Sequence, residues 1–286
     1  MIIATRSNAI YSSPRIEKYI SFYQMQKLDY LVIGWDRKGE NLQRENTIYY
    51  RKISGYNIGG LKAAKNRISW MIFLFKQFYS QRKSLSVIHA CDLDTAFPAC
   101  IFKFFVKRDV IVIFDICDWF SADITRENKL ILLSFKLMEK FTINHSNEVI
   151  ICEPERIQQI PYKLKKKELI LPNIPSFSNY NFLCVDKKYS FDNDLIVFSY
   201  VGGLNNERFL DELLYVAEKG LINLLIAGFG NNQLEEKCSK LSELQNIKFF
   251  GKVQYQEGLN IMFNSDIIYA MYCKSNPNHF YAAPNK

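Results

Sequence analysis

Val87-Ile88-His89-Ala90-Cys91-Asp92-Leu93-Asp94-Thr95-Ala96-Phe97-Pro98-Ala99 is the stretch on which the fold turns. Its opening residues are apolar and suited to a strand, and its closing residues begin a helix. One imidazole and two carboxylates, His89, Asp92 and Asp94, are therefore crowded onto a single strand-to-helix turn. Open α/β sheets place their ligand clefts at such turns. Asp94 or Thr95 can instead cap the helix by accepting bonds from its first free amides. Capping accounts for one of the polar residues and leaves the others to line a cleft.

Working outward, Ile2 to Thr5 reads as a strand, Pro14 opens a helix with Ile16, Tyr19, Ile20 and Tyr23 on one face, and Leu31 to Trp35 is the next strand. Thr47 to Arg51 alternates weakly as a third. Leu61 to Lys83 combines the apolar block Trp70 to Phe75 with Lys62, Lys65, Arg67, Lys76, Arg82 and Lys83. Two readings of it stand: a basic aromatic helix on an acidic membrane surface, or a core helix with solvated lysines at its ends. Beyond the central turn, Ala96 to Val106 reads as a helix. Val110 to Phe114 is a continuous apolar strand that ends in Asp115-Ile116-Cys117-Asp118. Parallel strands ending side by side bring these acids toward His89 and Asp92. A helix from Ile124 to about Asn144 and strands at 149–152 and 169–171 follow, with His145 read as a surface residue.

Residues 176–194 lack periodicity and are rich in Ser, Asn and Asp, which marks a linker between a domain at 1–175 and another at 195–286. The second series opens with strand Leu195 to Val201, Gly202-Gly203, a helix capped at Asn205-Asn206, and strand Ile222 to Ala227 running into Gly228-Phe229-Gly230. Ile247 to Gly251, a helix at Tyr255 to Phe263 and strand Asp266 to Tyr272 complete it. The expected class is α/β with two Rossmann-like domains.

The 286 residues are 48% hydrophobic and carry a net charge of +8, enough apolar content for real cores and a basic balance that favours an anionic partner. A nucleic-acid role rests on charge alone and is not expected, because the basic residues do not interleave with aromatics on one recognisable module. Seven cysteines are scattered with no paired spacing for zinc or a redox dithiol, so no metal is expected, and they read as buried thiols of a reducing cytoplasm. No apolar run reaches the length needed to span a bilayer. Gly202-Gly203 ahead of Arg208 reads as a phosphate cradle, in which backbone amides, a helix dipole and a guanidinium converge on negative charge. Gly228-Phe229-Gly230 repeats the pattern one strand later; helix-sheet packing is the other reading of these glycines.

Together these residues resemble the retaining sugar-nucleotide glycosyltransferases of family 4, of the two-Rossmann-domain GT-B fold. The likeness rests on Arg6 to Lys18 with Val32 to Arg37, on His89 to Thr95, on Asp115 to Trp119, on Val201 to Leu204 with Arg208, and on Gly228 to Gly230 through Phe250-Gly251-Lys252-Val253. Leu171-Pro172-Asn173 and Pro284-Asn285-Lys286 also match. The resemblance implies retaining transfer of a sugar from a nucleoside diphosphate sugar to a glycan or lipid-linked acceptor, in bacterial surface-polysaccharide synthesis. It implies no cofactor, and a cytoplasmic protein that can lie on the inner face of the membrane. By the same likeness His89, Asp92, Asp94 and Asp118 face the acceptor and the transferred sugar. Gly202, Gly203, Arg208, Gly228, Gly230, Phe250, Gly251 and Lys286 would then line the donor.

Two positions depart from the family pattern. Gly203 stands where a second basic residue often follows the first glycine. The family's two-glutamate motif follows a Pro-Asn-Lys segment that here ends the sequence, so the second domain is expected to be incomplete. On that ground a non-catalytic nucleotide- or glycan-binding remnant is the alternative reading.

Overall fold

The computed structural model describes residues 1–10, 13–54, 60–122, 129–174 and 189–282. The chain divides into two compact units, Met1–Asn173 and Ile174–Lys286. Most of the expected linker, and Lys286, lie outside the described residues.

Unit 1 is built on a seven-stranded sheet in the order β3-β2-β1-β4-β5-β6-β7, every pair parallel. The strands are β1 (Ile2–Arg6), β2 (Tyr30–Trp35), β3 (Thr47–Tyr50), β4 (Val87–Cys91), β5 (Ile111–Ile116), β6 (Glu148–Ile151) and β7 (Leu169–Ile170). Strand order reverses between β1 and β4, and the ends of those two strands form the topological switch point. One face of the sheet packs on α2 (Gly60–Ser80), α3 (Leu93–Phe105) and α4 (Lys129–His145), enclosing Ile3, Ile33, Trp35, Ile88, Ala90, Val112 and Phe114. The other face carries α1 (Pro14–Met25), whose Ile16 and Ile20 pack on Val32 and Cys91.

The reading of α2 is decided here. Trp70, Leu74 and Phe78 are wholly buried and Asn66 nearly so, a four-residue spacing that turns one face to the core, while Lys62, Lys65 and Lys76 are exposed. The aromatic block is committed to the sheet, so the membrane reading of this helix is set aside. No helix among the described residues is long and apolar enough to cross a membrane.

The central helix starts earlier than its sequence suggested. Leu93 is already helical and Asp92 occupies the N-cap position with φ 73°, while neither Asp94 nor Thr95 caps it. The Thr95 hydroxyl donates to the carbonyls of Cys91 and Asp92 instead, at 2.6 and 3.0 Å.

Unit 2 has a four-stranded parallel sheet in the order β10-β9-β8-β11. Its strands are β8 (Val197–Val201), β9 (Asn223–Ala227), β10 (Ile247–Phe249) and β11 (Ile267–Ile268), with α5 (Leu210–Glu218), α6 (Asn232–Leu241), α7 (Tyr255–Phe263) and α8 (Pro277–Phe280). The order repeats that of β3-β2-β1-β4, which puts its switch point between β8 and β11. Two departures from the expected elements are local. The pairing expected over 266–272 is confined to Ile267–Ile268. The Asn205-Asn206 cap leads only into a 3-10 turn, Asn206–Arg208, and α5 begins after Phe209 in the left-handed region.

Candidate active site

The strand ends of unit 1 converge on a buried charge network. Asp115, at the end of β5, pairs in register with Cys91 of β4 and is fully buried. Arg15 of α1 grips it with two nitrogens, Nε to Oδ2 at 2.6 Å and Nη2 to Oδ1 at 2.8 Å, and the Tyr19 hydroxyl donates to Oδ2 at 2.7 Å. Burial by itself would raise this carboxyl, but His89 and Arg15 outweigh it and hold the group well below the usual carboxylate range. Arg15 also donates to the Leu171 carbonyl at 3.1 Å, which ties α1 to the end of the unit.

His89 joins this cluster from the middle of β4. Its Nδ1 is 2.9 Å from the Tyr23 hydroxyl, its ring lies 4.1 Å from that of Tyr19, and its Nε2 is 3.7 Å from Asp115 Oδ2, too far for a hydrogen bond. The imidazole lines a cavity of about 490 Å³ between α1 and strands β1, β4 and β5, on the flank of the sheet. Ligand atoms of His89, Cys91 and Asp115 lie within 4.8 Å of one another, a spacing that could hold a metal. Both Asp115 oxygens are already taken by Arg15 and Tyr19, and the guanidinium supplies the positive charge a cation would bring.

Asp92 occupies the switch point itself. Its Oδ1 accepts the amides of Cys117 and Asp118 at 3.2 and 3.3 Å, and its Oδ2 lies 3.8 Å from Arg6 Nε at the end of β1. Burial pushes its carboxyl up to about 7, with Asp118 and Asp94 adding to the rise and Arg6 opposing it. Asp118 is exposed beside it. Asp94 is wholly buried on the first turn of α3, with Arg67 Nε 3.8 Å from Oδ2 and no hydrogen-bond partner for either oxygen among the described residues. The structure thus joins Asp92 with Asp118, sends His89 to the α1 flank and directs Asp94 toward α2. Arg6, Arg15, Tyr19 and Tyr23 are the members that sequence reasoning missed. The available signal was the spacing of Arg15, Tyr19 and Tyr23, which puts a guanidinium in line with two phenols on the inward face of α1.

The glycine turn of unit 2 differs from the expected cradle. The Gly202 amide donates to Ala227 O at 3.0 Å, that of Gly228 to Gly251 O at 2.8 Å, and that of Gly230 to Glu235 Oε1 at 2.6 Å. These amides are engaged within the protein, so the outward-pointing set read from the sequence is not formed by them. Close packing is what the glycines provide. A Cβ on Gly228 would stand 1.9 Å from the Gly202 carbonyl oxygen, and one on Gly230 2.6 Å from that of Leu204. Gly203 is exposed and open. Gly251 has φ +61° with nothing near a Cβ, and Phe250 packs 4.9 Å from the Tyr189 ring.

Arg208 sits at the switch point, in the 3-10 turn between β8 and α5. Its guanidinium lies 3.9 Å over the Tyr272 ring, and Nη1 is buried with no hydrogen-bond partner among the described residues. The segment after β11 braces this turn. Cys273 N donates to Glu207 O at 2.9 Å, Asn276 Nδ2 to Glu207 Oε2 at 3.3 Å, and the Tyr269 hydroxyl to Phe209 O at 2.8 Å.

No protein-family model and no curated protein sequence matches this chain. Solved structures do. Sucrose-phosphate synthase from Thermosynechococcus elongatus superposes with a TM-score of 0.65 at 11% identity, over 93% of this chain and 74% of that one. The catalytic domain of starch synthase IV from Arabidopsis thaliana, bound to ADP and acarbose, gives 0.64 at 11% identity over 93% and 77%. A protein described as a UDP-N-acetylglucosamine 2-epimerase from Listeria monocytogenes gives 0.60 at 8% over 93% and 73%. At such identities the shared property is the fold, two Rossmann-like domains of the GT-B kind.

Proposed function

We propose that this chain is a glycosyltransferase that moves a sugar from a nucleoside diphosphate sugar to a glycan or lipid-linked acceptor, with retention, in surface-polysaccharide synthesis. The observation that carries this reading is Arg208: a guanidinium at a sheet switch point, seated on an aromatic ring, with one buried nitrogen that has no partner among the described residues. A diphosphate fits that chemistry, because a fixed cationic fork in a partly desolvated place favours bidentate anions. Two fold neighbours are named as sugar synthases, and one of them holds ADP.

In this reading unit 2 holds the donor. Arg208 relieves charge on the leaving diphosphate as the bond from the anomeric carbon to the phosphate oxygen breaks. Unit 1 presents the acceptor at Asp92, whose carboxyl, raised to about 7, is matched to taking the proton of an acceptor hydroxyl as the new glycosidic bond forms. Asp118 borders the same strand ends. Retention, the polysaccharide role and a cytoplasmic place on the inner membrane face rest on the residue pattern of family 4. No cofactor is required by the reaction.

Calorimetric titration with uridine and guanosine diphosphates tests the donor site. Arg208→Ala should weaken the diphosphate that binds by about 1–3 kcal/mol, the scale of a charge-assisted bond. Unchanged affinity in a folded variant moves the diphosphate elsewhere. A second reading, a nucleotide-sugar epimerase, is favoured by the Listeria neighbour. Conversion of the sugar without an acceptor would select it.

A further inference from the structure

The surface of α4 is unusual for a helix of a soluble α/β unit. Leu130, Leu133 and Leu137 are 81, 54 and 60% exposed, far more than a core-facing stripe allows. At about 100° per residue they fall within roughly 60° of one another, on the side opposite the buried Glu139 and Thr142. The exposed Lys129, Lys136 and Lys140 fall next around the helix and border the stripe along one side. The only acid on α4 is Glu139, which is buried and accepts the Ser121 amide at 2.8 Å.

Two neighbouring segments extend the patch with the same composition. The end of α3 exposes Phe104 and Phe105, the latter by 74%, and Phe104 lies 5.4 Å from the His145 ring at the end of α4. The Tyr162 hydroxyl donates to the Lys136 carbonyl at 2.8 Å, and the loop it begins exposes Lys163, Lys165 and Lys167. Two nearby acids are already matched: Glu148 faces Lys166, and Asp109 faces Lys107. All these residues belong to unit 1.

We propose that this face, α4 with the end of α3 and the lysine loop, docks on an anionic lipid bilayer. An apolar stripe bordered by lysines is the composition of a helix that lies in a membrane interface, with leucines among the acyl chains and ammonium groups at the headgroups. A protein partner fits less well, because lysine is depleted at protein interfaces. The surface is distinct from α2, whose aromatic block is spent on the core, and it does not depend on which reaction the chain performs.

Co-sedimentation of the full chain with vesicles tests this. Binding is expected to vesicles of phosphatidylcholine containing phosphatidylglycerol, with little to phosphatidylcholine alone and release by salt. Replacing Lys163, Lys165 and Lys167 together with Gln should lower partition by about a hundred-fold, since each lysine near an anionic surface contributes about five-fold. Leu130→Ser with Leu137→Ser should abolish binding, while Ile68→Ser with Ile72→Ser, exposed on α2, should not change it. These side chains are exposed, and the lysine variant keeps the test independent of any folding loss in the leucine variant. Equal binding to neutral and anionic vesicles, binding to neither, or indifference to the lysine changes would overturn the proposal. So would a lipid-free dimer of the parent chain that the leucine changes dissolve, because the occupant of the face would then be a second copy.

Discussion

Arg15 and Asp115 are 100 residues apart in the chain and form a buried bidentate pair. Removing the guanidinium leaves a buried carboxylate with the Tyr19 hydroxyl and Cys91 thiol as its donors and the His89 ring 3.7 Å away, so Arg15→Met should cost about 3–5 kcal/mol in urea unfolding. Asp92 poses the opposite case. Its carboxyl is raised from 3.8 to about 7, so within that window the folded chain binds the proton that the unfolded chain has lost. Stability contributed at this site therefore falls as pH rises through the window. Asp92→Asn keeps an oxygen for the Cys117 and Asp118 amides and should gain on the parent between about pH 4 and 8. A parallel pair of stability-pH curves would show that Asp92 is not held protonated. The sequence pointed to Asp92 and to the second pair of acids at the end of β5. It did not show that Asp115 is spent on Arg15, because that pairing needs α1 laid across β5.

At the scale of elements, the glycines after β8 and β9 separate by what surrounds them. Gly228→Ala drives a methyl into the Gly202 carbonyl and should cost about 3 kcal/mol, whereas Gly203→Ala, with nothing nearer than 4.0 Å, should be close to neutral. Thermal melts of the two variants check this, and equal losses would refute it. The sequence allowed both a cradle and a packing role for these glycines. The structure favours packing for Gly228 and Gly230, which approach neighbouring backbone too closely for a Cβ, and the amides of Gly202, Gly228 and Gly230 find partners at Ala227, Gly251 and Glu235. The two basic helices show the same limit. Both α2 and α4 carry apolar residues on more than one face, so periodicity alone does not say which face is buried, and the layer each helix joins decides it.

At the scale of the molecule, each unit has its own sheet and its own apolar cores. Calorimetry should resolve two transitions, with Arg15→Met lowering one and Gly228→Ala the other; a single transition shifted by both would show one cooperative block. The order of strands and helices, the parallel character of the sheets and the two-part division were legible in the sequence, because apolar runs, glycine turns and helical stripes are local signals. Only the tertiary structure decided which strand lies beside which. That adjacency places Asp92 against Arg6 at the switch point, sets Arg208 over Tyr272, consumes the glycine amides and leaves the leucines of α4 facing outward. The partners of Asp92 and Arg208 come from distant parts of the chain, and side-chain pairing across such distances follows strand order, which no local period encodes.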